Sequence, residues 1–168
     1  MLTNMADCRA EIERKINSLG DSDQFIVLIL KDPSVDPPFS KMTTATPEAK
    51  RKASLYVRSI TALGQVDNLI ECLSRTVDNS PDVVWFATNG YFFHGETDAV
   101  RAGLMKLKAR INLLVYGQEE WSEQMTEFWK RCQATGGVCI DGEGNPVSPP
   151  RKPLEAKSDT RPTIMKDR

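Results

Sequence analysis

The sequence predicts an α/β domain built on a doubly wound, mostly parallel sheet. Short, continuous apolar runs alternate with amphipathic stretches of helical period along residues 5–140. Such alternation joins parallel strands through right-handed helical crossovers. A length of 168 residues, with 40% hydrophobic and 27% charged side chains, suits one globular domain.

The elements follow in order. Met5, Cys8, Ile12, Ile16 and Leu19 recur at three- and four-residue steps, one face of a helix that Gly20 ends. The run Phe25–Leu30 reads as a strand covered on both faces. Pro33–Pro38 is a turn, with a short edge strand expected near Phe39–Met42. Thr46 is a good N-cap and Pro47 fits the first helical position, after which Ala49, Ala53, Tyr56, Val57, Ile60 and Leu63 share a face. Beyond Gly64, a second stripe comprises Val66, Leu69, Ile70, Leu73 and Val77. A turn at Asn79–Asp82 leads to a strand at Val83–Ala87 and then to the loop TNGYFFHGET. A helix over Thr97–Lys108 buries Val100, Leu104 and Leu107, and the next strand is Ile111–Tyr116. The last helix carries Trp121, Met125, Phe128, Trp129 and Cys132, Gly136 and Gly137 close it, and Val138–Ile140 is a final short strand. Residues 1–140 therefore form the domain, and 141–168 read as a disordered, Pro-rich charged tail holding five of the ten prolines and no aromatic residue.

Charge and composition narrow the function classes. A net charge of −1 gives no general pull toward nucleic acid or anionic membrane. The longest apolar runs are too short to span a bilayer, and the N-terminus MLTNMADCRAE has no cationic-then-apolar leader, so the cytoplasm is the default expectation. Cys8, Cys72, Cys132 and Cys139 make no C-x-x-C pair, and His94 is the single histidine. Reduced, structural thiols are expected, with no metal and no cofactor. No G-x-S-x-G, G-x-G-x-x-G or G-x-x-x-x-G-K-[ST] motif occurs. An enzymatic reading would rest on His94 as a base without a partnered nucleophile.

Six segments in this order, DQFIVLIL, ATPEAKRKASLYVRSI, GQVDNLIECL, PDVVWFATNG, RINLLVYG and ATGGVCI, resemble the von Willebrand factor type A (VWA) domain family over roughly residues 5–140. The resemblance implies a Rossmann-like fold whose carboxyl edge carries a metal-ion-dependent adhesion site. That site combines an Asp-x-Ser-x-Ser run, a Thr in a "GGT" turn and the Asp of "TDG", a hard oxygen set suited to Mg²⁺. Carried onto this chain, the set fails. MLTN precedes the first helix, Gly64-Gln65-Val66 puts Val66 where the hydroxyl belongs, and Thr88-Asn89-Gly90 replaces the carboxylate with an amide. Asp67 sits beside the expected position and reads as a helix cap. The family's first, central strand would fall before residue 1, leaving a gap between the 25–30 and 83–87 strands. A misassigned start, a lost upstream segment or a strand donated by a partner would each account for it, and a truncated or decayed reading frame is the expectation. Strand donation or oligomerisation across the gap follows as a partner mode.

The resulting expectation is a non-catalytic, metal-free module that binds a protein through Gln65, Val66, Asp67, Thr88, Asn89, Tyr91, Phe92, Phe93 and His94. The aromatic run supplies its candidate hot spots, although two of those rings would alternatively fold under the 97–108 helix. The competing readings are a vestigial or incomplete product without independent activity and, last, a small hydrolase.

Overall fold

The computed structural model describes residues 2–28, 37–60, 69–88, 97–116 and 121–149. Among them run α1 (Leu2–Asn17), β1 (Gln24–Phe25), β2 (Thr43–Thr44), α2 (Pro47–Ser59), α3 (Leu69–Asn79), β3 (Val83–Thr88), α4 (Thr97–Lys106), β4 (Arg110–Val115), α5 (Glu123–Ala134) and β5 (Cys139–Asp141). The fold is mixed α/β. β3, β4 and β5 form a parallel sheet in that order, and β1 and β2 form a separate antiparallel pair.

β4 is the centre of the sheet because its sequence suits no other place. A strand flanked on both edges and covered on both faces reads as unbroken apolar residues, and Ile111, Leu113, Leu114, Val115 and the adjoining Tyr116 are all buried. Ile111, Leu113 and Val115 face one core with Leu69 and Leu73 of α3, Val100 and Leu104 of α4, and Met125, Phe128 and Cys132 of α5. Phe86 of β3 meets the Phe128 ring edge-on at 4.7 Å, a favoured geometry for aromatic pairs. The alternate β4 side chains, Asn112, Leu114 and Tyr116, point to the opposite face.

A second core joins α1, α2 and the β1–β2 pair. α2 contributes only small side chains at its closest approach, with Ala49, Ala53 and Val57 buried against Ile16, Phe25 and Ile60. The Thr46 hydroxyl accepts the Ala49 N–H at 3.2 Å, so the cap forms as the sequence predicts. Arg58 donates to both carboxylate oxygens of Glu13, Arg9 donates to the Ile60 carbonyl, and Lys50 donates to the Leu19 carbonyl at 2.6 Å. The two cores meet where the Met42 N–H donates to Asn79 Oδ1 at 3.1 Å and where Lys15 of α1 stands over the Trp85 ring of β3.

Several elements depart from expectation. The strand predicted over 25–30 is only Gln24–Phe25; residues 26–28 are not strand, and 29 and 30 lie outside the described residues. The edge strand expected at Phe39–Met42 forms at Thr43–Thr44 instead, because Phe25 pairs with Thr43 and the Ala45 N–H donates to the Asp23 carbonyl. Ile70 is 36% exposed rather than part of the α3 stripe. The buried face there is Leu69, Leu73 and Thr76, and Ile70 stands one helical step off it. Structure also continues past residue 140. Asp141 ends β5, the chain turns at 142–144, Pro146 bridges back to Ile140, and Val147 packs on the main core. No described helix is long and apolar enough to cross a membrane.

The α5–β5 turn fixes β5 beside β4. Gly136 takes φ +70°, a left-handed helix end that glycine adopts freely. A Cβ on Gly137 would stand 1.7 Å from the Ile111 carbonyl oxygen. Gly137→Ala should therefore displace the turn or the strand and cost ~3 kcal/mol or more in urea unfolding. A loss below about 0.5 kcal/mol would place the turn elsewhere.

Candidate functional site

The carboxyl edge of an open parallel sheet is where ligands and partners usually dock, since loops converge there at the ends of aligned strands. In this chain the edge is a row of three residues. Thr88 ends β3 opposite Val115, and Val115 ends β4 opposite Asp141. The Tyr116 N–H donates to the Thr88 carbonyl at 2.9 Å, which locks the exits of β3 and β4 together. Of the nine predicted site residues, Thr88 is part of this row. Gln65, Val66, Asp67, Asn89, Tyr91, Phe92, Phe93 and His94 lie outside the described residues. The described elements that flank them, from Ile60 to Leu69 and from Thr88 to Thr97, set where those segments leave and rejoin the fold.

Asp141 is the one carboxylate in the row, and its own turn occupies it. Oδ1 accepts the Glu143 and Asn145 N–H groups at 2.9 and 2.8 Å, and Oδ2 accepts from Asn145 Nδ2 at 3.1 Å. These bonds, Asn145's above all, hold the carboxyl below its ordinary range. Among the described residues no three His, Cys, Asp or Glu side chains gather as a metal would require. The four thiols are free. Burial pushes Cys8 up to about 11 and Cys139 up to about 12, with Cys72 and Cys132 also raised, which opposes nucleophilic use of any of them.

One cluster at this edge went unforeseen. Tyr116 follows β4 on the face that the main core leaves free, and α1 covers it there. Its hydroxyl is buried with no hydrogen-bond partner among the described residues. Burial pushes the phenol far above the ordinary tyrosine value, and Cys8, Glu11 and Asp7 of α1 push in the same direction. A Cβ on Gly142 would come within 2.9 Å of the Tyr116 ring, so the turn after β5 closes tightly over the same side chain. One turn further along α1, Lys15 places its ammonium 3.9 Å from the centre of the Trp85 ring. The signal for this layer was present in the unbroken apolar run of β4, which demands cover on both faces. Two shallow clefts lie away from the edge, one on the outer side of α1 around Ala6, Ala10 and Asn17, the other between α1 and α2 around Pro47, Ser54 and Leu55.

No family model matches this chain, and no curated protein matches it either.

The Tyr116 hydroxyl generates a direct test. Deleting an unpartnered buried polar atom removes a desolvation cost, so Tyr116→Phe should leave stability unchanged or raise it by about 1 kcal/mol in urea unfolding at neutral pH. Because the folded phenol titrates above the unfolded one, the wild type should lose stability as pH rises beyond about 10, and Tyr116→Phe should lose less. A clear loss at neutral pH would mean the hydroxyl has a partner.

Proposed function

We propose that this chain is a non-catalytic protein-interaction module of VWA type that engages a protein partner without a metal, through the loops at the carboxyl edge of its sheet. The observation that carries the proposal is the lock between the exits of β3 and β4. The Tyr116-to-Thr88 bond is 2.9 Å long, and residues 89–96 and 117–120 start from these adjoining points of a rigid platform. Loops held on a rigid parallel sheet are the usual carriers of recognition. The segment after Thr88 supplies Tyr91, Phe92 and Phe93, the residue types enriched at interface centres. Val66 and Asn89 offer neither the hydroxyl nor the charge that Mg²⁺ asks of such a site, and recognition then rests on apolar contact and hydrogen bonding.

Two measurements test this reading. Calorimetric titration of the folded chain with Mg²⁺ and with Mn²⁺ should give no binding tighter than millimolar; submillimolar heat saturation would restore a metal to the mechanism. The double variant Phe92→Ala/Phe93→Ala should keep the wild-type circular dichroism and cooperative melt. It should also lose the partners recovered with wild-type bait, by tenfold or more in affinity for any one that is purified. Unchanged recovery would remove the aromatic loop as the contact surface.

A further inference from the structure

The two outer edges of the parallel sheet are treated differently. β5 is short, and its own chain covers its outer side: the Val147 N–H donates to the Cys139 carbonyl at 3.0 Å, the Asp141 N–H donates to the Asn145 carbonyl at 2.9 Å, and Ile140 bridges Pro146. β3 is six residues long, and among the described residues β4 is its only strand partner. The bonds from Arg110 N–H to the Asp82 carbonyl and from Tyr116 N–H to the Thr88 carbonyl fix its phase. Asp82, Val84, Phe86 and Thr88 turn their backbone groups toward β4, and Val83, Trp85 and Ala87 turn theirs outward. Val83 is 39% exposed and Trp85 37%. The strand VVWFAT carries no charge, proline or glycine, the residues with which proteins usually blunt an open edge.

We infer that the outer edge of β3 is a self-association surface, on which a second copy of this chain lays its own β3 antiparallel across a two-fold axis at Trp85. This surface lies along the side of the sheet, away from the carboxyl-edge row of Thr88, Val115 and Asp141. Self-pairing about Trp85 sets Val83 opposite Ala87 of the other copy, Trp85 opposite Trp85, and Val84 opposite Phe86. The three outward residues each carry one N–H and one C=O, so two copies supply six donors and six acceptors. In this register each pair of outward residues is of the hydrogen-bonded kind, Val84 and Phe86 form the non-hydrogen-bonded pairs between them, and all twelve groups are satisfied. Every facing side chain within the strand is apolar, and Asp82 falls opposite Thr88, so no like charges meet along it. Lys15 stands over Trp85 near the axis in each copy, and Glu11 lies 3.5 Å from its ammonium to offset that charge. The arrangement is closed, because among the described residues the outer side of β3 is the one open edge of the parallel sheet and the β5 edge is covered. A strand pair buries less than the roughly 800 Å² per partner of a standard stable interface, so the association is weak and concentration-dependent.

Sedimentation equilibrium of the purified chain should show the mean mass rising from 18.8 kDa toward twice that value across the micromolar to millimolar range. Ala87→Pro removes an outward N–H without touching a β4 bond, and edge strands tolerate proline there. It should weaken self-association roughly tenfold or more with unchanged circular dichroism. Trp85→Lys sets like charges face to face at the axis and should abolish it. Hydrogen exchange on the wild type needs no variant: the Val83, Trp85 and Ala87 amides should exchange faster on dilution, while the Val84 and Phe86 amides stay protected. A mass of 18.8 kDa at every concentration overturns the inference. So does association that both folded variants retain, or exchange at the three amides that is independent of concentration.

Discussion

The constraint on which the molecule rests is the complete enclosure of β4. Strands pair on both of its sides, α3, α4 and α5 pack on one face, and the side chains of the other face, Asn112, Leu114 and Tyr116, are buried as well. Burying side chains such as Ile111, Leu113 and Leu114 contributes about 1.5–3 kcal/mol each relative to exposure, with no other strand so deeply placed. Every neighbour takes its position from that demand. α3, α4 and α5 fill one side, and on the other side of the sheet α1 sets Lys15 over Trp85 and Cys8 beside Tyr116. The carboxyl edge inherits its rigidity from the same enclosure, since Thr88 and Asp141 are held in register by the strand between them.

Where local chemistry decides, the sequence is a reliable guide. Thr46 and Pro47 mark the start of α2 because capping is a matter of a few adjacent residues. Val100 and Leu104 pick out the inner face of α4 by spacing alone, Leu107 is buried just past the helix end at Lys106 rather than within a helix reaching Lys108, and Gly136–Gly137 marks the end of α5. The reading weakens where a strand depends on its partner. FIVLIL has the composition of a buried strand, yet among the described residues only Phe25 and the residue before it pair, because the β1–β2 register is set by Asp23, Thr43 and Ala45 rather than by hydrophobicity. Residues 141–149 look like solvated tail by composition, but one valine and a short turn suffice to hold them against the core. At the candidate site, Thr88 reads by sequence as the first residue of the loop after the strand, and in the structure it is the last residue of β3. The unbroken apolar run of β4 signals that its second face is covered, but not that Cys8 and Tyr116 meet there, because no spacing rule reaches across more than a hundred positions.

The polar groups of the fold divide by exposure. The Arg58–Glu13 and Arg101–Glu127 pairs sit at the surface, where solvent screens them and they orient helices more than they stabilise them. Two others lie deeper: buried Asn112 accepts the Val138 N–H at 3.0 Å, and half-buried Thr135 accepts the Ile111 N–H at 3.0 Å, so each satisfies a backbone donor that the sheet ladder leaves over. The thiols belong to neither group; with their ionisation suppressed, they act as small apolar fillers.

The position of α1 bears on the topology of folding. Lys15 reaches over Trp85, and Cys8 lies beside Tyr116, 108 positions later in the chain (116 − 8). The same helix packs on α2 through Ile16, Ala53 and Val57. Contacts of such long sequence separation raise the contact order of the fold, because the entropy of closing the intervening chain is lost before they reward it.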